Sequence, residues 1–403
     1  MRRFTELPPL SLYVHLPWCI RKCPYCDFNS HEQPTELPEI AYVDALLDDL
    51  AQEMPDVWGR SLSSVFLGGG TPSLFSPKAL DRLLSGIRAL TGLAPATEIT
   101  MEANPGTFEQ ARFADFRAIG INRLSIGIQS FNDAALEALG RVHSAREALS
   151  AIEIAQSAGF ERINLDLMFG LPGQSVTDSI ADVDQAIALT PGHVSCYELT
   201  LEPNTLFARY PPAVPDDEQR WKMQCAIVEQ LAVAGYERYE ISAYAQSGKR
   251  CQHNLNYWLF GDYIGIGAGA HGKISAADTG TIVRRWKQKH PARYLDTAAT
   301  DERIGAETEL PVEDTGLEFM MNALRLTEGF PIPLFQHHTG VVLDQWQPAI
   351  DTAIESGLLV QQGLNLRPTP QGSNFLNDLL AHFLNNQTPT KARYPVIPLH
   401  LDP

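Results

Sequence analysis

The sequence predicts an α/β fold: a full or partial parallel (β/α) barrel followed by a small, mainly helical C-terminal domain. Short β-rich runs alternate with longer helical patterns from Leu10 to about Ala245. Glycines stand where several helical patterns end, and the rhythm stops after the glycine-rich segment Gly261 to Gly272. Parallel strands need crossover connections, so repeated βα units imply a parallel sheet with helices outside it.

In chain order, strands are expected at Leu10 to Leu16, Ser64 to Gly68, Glu98 to Ala103, Arg123 to Gln129, Arg162 to Phe169, His193 to Leu199 and Arg238 to Ala245. Each is a β-rich run bounded by turn signals. Helical patterns fall between them at Glu39 to Glu53, Pro77 to Leu90, Ala145 to Ala158, Ser175 to Leu189 and Asp217 to Ala234. Ser144 reads as an N-cap, and Ala158-Gly159 and Ala234-Gly235 as glycine C-caps. Residues 1–272 are expected to form the barrel domain and 273–306 a connecting segment. Residues 307–385 read as a helical, winged-helix-like domain with a short β wing near Leu358 to Leu366. The tail 386–403, with Pro389, Pro395 and Pro398, lacks periodicity and is expected to be extended.

A chain of 403 residues with 44% hydrophobic content can bury one large core and a smaller one. No apolar run reaches the roughly 18 residues of a membrane span, and the start lacks a signal-peptide pattern, so a cytoplasmic protein without a membrane span is expected. A formal charge of −17 argues against a nucleic-acid partner, which would need a basic face. Six cysteines are too few for a disulfide scaffold, and three of them fall within the eight residues 19–26. That clustering points to metal or redox chemistry.

Cys19, Cys23 and Cys26 form a CxxxCxxC motif in the loop after the first strand. Three thiolates on one short loop can hold three irons of a 4Fe-4S cluster and leave the fourth without a protein ligand. Structural zinc wants a closed set of four ligands, and no second CxxC exists in the chain. Leu67-Gly68-Gly69-Gly70-Thr71-Pro72 follows the second strand, where successive glycines let backbone approach a ligand and offer amides to it. Glu102 ends the third strand and can bond ribose hydroxyls, or simply be solvated or paired with lysine. Gln129 ends the fourth strand, Arg141 follows the next helix, and Asp166 lies on the fifth strand. Any one of these can be a satisfied core group. Together they put a polar residue on successive strands or loops at one end of the sheet, where ligands bind in such folds.

CxxxCxxC with Tyr25 before its third cysteine resembles the radical S-adenosylmethionine (SAM) superfamily, and Gly69-Gly70-Thr71-Pro72 resembles its GGTP motif. The resemblance implies SAM chelated to the open iron of a 4Fe-4S cluster and cleaved to a 5'-deoxyadenosyl radical. It narrows with Tyr13-Val14-His15-Leu16-Pro17-Trp18-Cys19, Gln129-Ser130-Phe131 and Asp166-Leu167-Met168-Phe169-Gly170-Leu171-Pro172-Gly173. Those segments are similar to the oxygen-independent coproporphyrinogen III oxidase family over nearly the whole chain. The family's SAM contacts then fall on Tyr13, Tyr25, Gly69, Gly70, Thr71, Glu102, Gln129, Arg141 and Asp166. In the oxidases they serve two SAM molecules, so the number bound here stays open.

Two departures separate the chain from the oxidases. Phe28 stands where they carry a further cysteine, and only eighteen residues precede Cys19. Both features resemble the haem-chaperone branch of the family, as does His253-Asn254-Leu255-Asn256-Tyr257-Trp258, an HNxxYW motif. The expected activity is to bind haem as cargo and deliver it to an acceptor, such as a respiratory haem protein. The alternative is oxidative decarboxylation of coproporphyrinogen III to protoporphyrinogen IX. His253 is a candidate haem-iron ligand, with Tyr257 and Trp258 covering the porphyrin, or else a hydrogen-bonded residue over packed aromatics. His271, in Gly267-Ala268-Gly269-Ala270-His271-Gly272, is the second candidate. Cys251 is expected to be buried or idle, and Cys196 and Cys225 to be core.

Overall fold

The computed structural model describes residues 2–106 and 110–384. The tail expected at 386–403 lies outside the described residues. In chain order the strands are β1 (Leu10–Leu16), β2 (Trp18–Cys19), β3 (His31–Glu32), β4 (Leu62–Gly69), β5 (Glu98–Ala103), β6 (Arg123–Gln129) and β7 (Ile163–Phe169). They continue as β8 (His193–Glu198), β9 (Glu237–Arg238), β10 (Ala243–Ala245), β11 (Asp262–Ile266), β12 (His271–Ala276), β13 (Thr281–Lys287) and β14 (Ile304–Glu309).

One twelve-stranded sheet runs in the order β14-β13-β12-β11-β1-β4-β5-β6-β7-β8-β10-β9. Neighbours are parallel from β11 through β8 and antiparallel beyond both ends. Helices occupy the crossovers as expected. Ser144 closes a capping box with Glu147, and Gly159 and Gly235 take φ of +84° and +83° just past two helix ends.

Side chains alternate along each strand. One set, including Leu12, Val14, Val65, Leu67, Met101, Leu124, Ile126 and Leu165, packs into the main core with the helices. Parallel strands are usually apolar on both faces. Here the alternate set is largely polar and pairs with itself: Asn164 donates to Ser125 (2.7 Å) and Asp166 (2.9 Å) and accepts from Ser195 (3.0 Å). The helix Gln252–Trp258 packs on this polar face, near the N-terminal ends of the strands. Glu98 accepts the amides of Gln252 (2.9 Å) and His253 (3.2 Å), and Asn256 donates to Ser11 (2.9 Å).

Residues 273–306, read from sequence as a connection, carry most of β12, all of β13 and the helix Pro291–Thr297. This segment extends the sheet, held by buried ion pairs. Lys287 reaches Asp49 (2.5 Å) and Glu53 (2.6 Å), and Arg303 reaches the same two carboxylates at 3.0 Å each. A second core gathers Phe319, Phe330, Phe335, Trp346, Ile350 and Phe383, with Phe260 and Ile282 joining from earlier in the chain. Its small sheet is β15 (Phe330–Pro331), β16 (Leu359–Gln362) and β17 (Asn365–Pro368), and β16 and β17 form the hairpin where the wing is expected.

Candidate functional site

β1 ends at Leu16, and the cysteine loop begins at once. Its two ends are pinned by β2 and β3, with Trp18 paired to His31 and Cys19 to Glu32. Two neighbours brace its middle. Phe207 N donates to Pro24 O (3.0 Å), and Gly140 (φ +67°) lies so close that a Cβ there would stand 2.8 Å from the Pro24 ring. Cys19, Cys23 and Cys26 are free thiols, partly buried, and all three line one cavity of about 430 Å³.

Gly69, Gly70 and Thr71 from the end of β4 line the same cavity, as do Tyr25, Glu102, Gln129, Arg141 and Asp166. The glycine loop has no room for side chains. A Cβ on Gly69 (φ +113°) would sit 2.5 Å from the His15 ring, and one on Gly70 2.6 Å from Trp18 O. Its amides are already spent: Gly69 N donates to Glu102 (3.1 Å), Gly70 N to Leu16 O (2.8 Å) and Thr71 N to Trp18 O (2.7 Å). The loop therefore cannot offer free amides to a ligand, contrary to the expectation from its composition.

Gln129 is a non-glycine residue at φ +67°, on a register shift between β6 and β7. The pairing resumes past the bulge at Gln129, opposite Leu167, and such strain concentrates at ligand sites. Burial and the nearby Asp166 push the Glu102 carboxyl up to about 7, against the opposing pull of the Gly69 amide. Burial also raises the Cys19 thiol, offset in part by a hydrogen bond with the Thr71 side chain.

Asn104, which sequence reasoning missed, joins these groups. Its amide donates to Thr71 Oγ1 (2.9 Å) and accepts from Arg141 Nη2 (2.7 Å), which also donates to Gly127 O (2.9 Å). Arg141 Nη1 reaches Cys23 Sγ at 3.5 Å. The buried Arg141 Nε has no partner among the described residues. A cavity with three free thiols, a glycine cradle and an unmatched guanidinium N–H fits an iron–sulfur cluster with an anionic ligand beside it.

Tyr13 does not line this cavity. Its hydroxyl meets His15 Nδ1 (3.0 Å), and its ring faces Phe66 and His253. It lines a second cavity of about 320 Å³, together with Tyr257, Trp258, Tyr263, His271 and Arg284. His253 lies deeper: it is 1% exposed, and its ring nitrogens meet Ser64 (2.9 Å) and Tyr257 (3.0 Å). Burial pushes its imidazole down to about 3. Both nitrogens are thus occupied, and a haem iron could reach neither without breaking one of these bonds. His271 is exposed and stacks on Trp286, with ring centroids 5.9 Å apart. Cys196 and Cys251 are buried as expected, whereas Cys225 is exposed on its helix and is not core.

The fold and the three-cysteine cavity define a radical SAM protein, and residues 13–185 match the model of the Radical SAM superfamily. Residues 310–375 match the HemN C-terminal domain. A protein of Escherichia coli K12 called "Heme chaperone HemW" is 48% identical over 94% of this chain and 99% of its own length. A Bacillus subtilis protein of the same name is 34% identical over 93% and 99%. The chain belongs to the HemW family. The crystal structure of E. coli coproporphyrinogen III oxidase (HemN) superposes with a TM-score of 0.79, covering 94% of this chain and 90% of that one at 21% identity, a likeness of fold.

Proposed function

We propose that this chain carries haem to a haem-accepting protein, and that it holds a 4Fe-4S cluster on Cys19, Cys23 and Cys26 with SAM in the adjoining cavity. The reading rests on kinship with haem chaperones together with one observation, a second cavity with aromatic walls. When bound, the reduced cluster supplies an electron to the SAM sulfonium. The chain's own groups bind and orient. Carbonyls of the glycine loop meet the ligand's ammonium, since its amides are taken. Arg141 Nε meets the carboxylate, and Glu102 the ribose hydroxyls. Tyr25, Gln129 and Asp166 enclose the remainder, while Tyr13 belongs to the wall of the second cavity and not to SAM.

In the second cavity, His271 is the histidine free to meet haem iron. Tyr257, Trp258 and Tyr263 offer faces for one edge of the macrocycle, while Arg284 in the same wall is already paired with Glu318. The oxidase reading is disfavoured by Phe28, 61% exposed at the first cavity where the oxidases have a cysteine. Reconstituted protein given SAM and reductant under anaerobic conditions is expected to bind haem and leave coproporphyrinogen III unchanged. Protoporphyrinogen IX in that assay would overturn the carrier reading.

A further inference from the structure

We propose that Asn104 is a positioning residue of the cluster site, which is anchored on Thr71 and aims the Arg141 guanidinium at the Cys23 sulfur. The proposal rests on the assignment of the cluster to the three cysteines. It comes from the order in which donors and acceptors are used up along one side-chain chain.

A carboxamide carries donors and acceptors on one planar group. Through its N–H, Asn104 fills a lone pair of Thr71 Oγ1. Through its carbonyl, Asn104 takes one proton of Arg141 Nη2, and Gly127 O takes the other. With Nη2 saturated, the planar guanidinium cannot rotate, and Nη1 is held toward Cys23. Thr71 thus anchors one end of the carboxamide while the other end holds a donor on a cluster ligand. Hydrogen bonds and positive charge at the sulfurs favour the reduced, more negative cluster.

The test is a double-mutant cycle on the reconstituted full chain, reading iron per chain and the reduced fraction of the cluster by electron paramagnetic resonance at one fixed poise. Asn104→Ala and Thr71→Val are each expected to keep their iron and to lower the ratio of reduced to oxidised cluster about two- to tenfold, the worth of one net hydrogen bond. Their combination is expected to fall short of the product of the two effects, because both break the same arm. Thr71→Ser, which keeps the hydroxyl, is expected to restore the wild-type ratio. If Asn104→Ala does not retain iron, Asn104→Asp takes its place in the cycle, since it keeps the acceptor for Arg141 and loses the donor to Thr71. Iron-replete variants with an unchanged ratio, or effects that multiply in full, would overturn the proposal and leave the cluster assignment standing. A wild-type chain that takes up no iron would overturn the assignment itself.

Discussion

Glu98 and Glu102 stand four residues apart on the same face of β5, yet they live in opposite circumstances. Glu98, at the base, accepts two amides of the helix Gln252–Trp258 and pairs with Arg162 at 2.9 Å. Glu102, at the mouth, has one amide donor and a carboxylate neighbour that raises its affinity for a proton. The same division runs along the other strands. On β4, Ser64 at the base is bonded to His253, while Gly69 at the mouth opens the cavity. Buried polar groups must be paired. The base spends most of its polar groups on the fold, with Thr100 Oγ1 and Arg162 Nε as exceptions, and the mouth leaves Arg141 Nε and the thiols to be completed by a ligand.

The two histidines offer the sharpest way to break this comparison. His253→Ala would strand the hydroxyls of Ser64 and Tyr257 and open a void against Phe66, whose ring lies 5.0 Å from the imidazole. A loss of about 2–4 kcal/mol in unfolding free energy is expected, with haem affinity unchanged in whatever fraction stays folded. His271→Ala is expected to do the reverse, moving stability by less than about 0.5 kcal/mol while the Soret band of bound haem shifts and affinity drops. Denaturant unfolding and haem titration of both variants decide the matter. A His253→Ala protein of wild-type stability that no longer binds haem would return the ligand to the HNxxYW motif.

A smaller effect is expected at Glu102. Its neighbours are Asp166 on β7, Tyr13 on β1, Tyr197 on β8 and the Gly69 amide. Its pKa is raised, so the carboxyl holds its proton in the folded chain as pH rises from about 4.5 toward 7, and folding stability from this group is lost across that window. In the proposed SAM site the ionised form is the one that would accept from both ribose hydroxyls. SAM affinity is therefore expected to be about tenfold weaker at pH 6 than at pH 8. Glu102→Gln should flatten that profile in equilibrium binding, and a profile of the same slope in the variant would place the titration elsewhere.

Much of the mouth was legible in the sequence because its residues sit in short, contiguous motifs. CxxxCxxC and GGTP each place several site atoms through local backbone geometry alone. The strand and helix rhythm was legible for the same local reason, except at Arg238 to Ala245, where the one expected strand is two short ones, β9 and β10, paired antiparallel. Asn104 was not, because its partners come from the loop after β4 and from the loop after the helix Asp133–Ala138, a juxtaposition only the sheet order creates. The fate of His253 was hidden likewise. The motif shows an imidazole near two aromatics, but only the packing shows Ser64, 189 residues away in sequence, taking its Nδ1. The sheet extension at 273–306 escaped because the segment carries charged residues inward, where Lys287 at the end of β13 and Arg303 just before β14 are neutralised by carboxylates from the distant helix Glu39–Glu53.

The smallest expected effect tests whether the mouth also stores backbone strain. Gln129 holds φ +67° at the end of β6, a conformation that costs a residue with a Cβ roughly 1 kcal/mol or more and costs glycine almost nothing. Gln129→Gly should relieve that strain but widen the unfolded ensemble, so a net gain of about 0.5 kcal/mol is expected in denaturant unfolding without ligand. The same variant loses the side chain that faces the cavity, so its SAM affinity should fall even as its stability rises. Stability and binding moving in opposite directions would mark a residue kept for the ligand. Parallel losses would mean that Gln129 belongs to the self-satisfied base and that the division between base and mouth lies higher on β6.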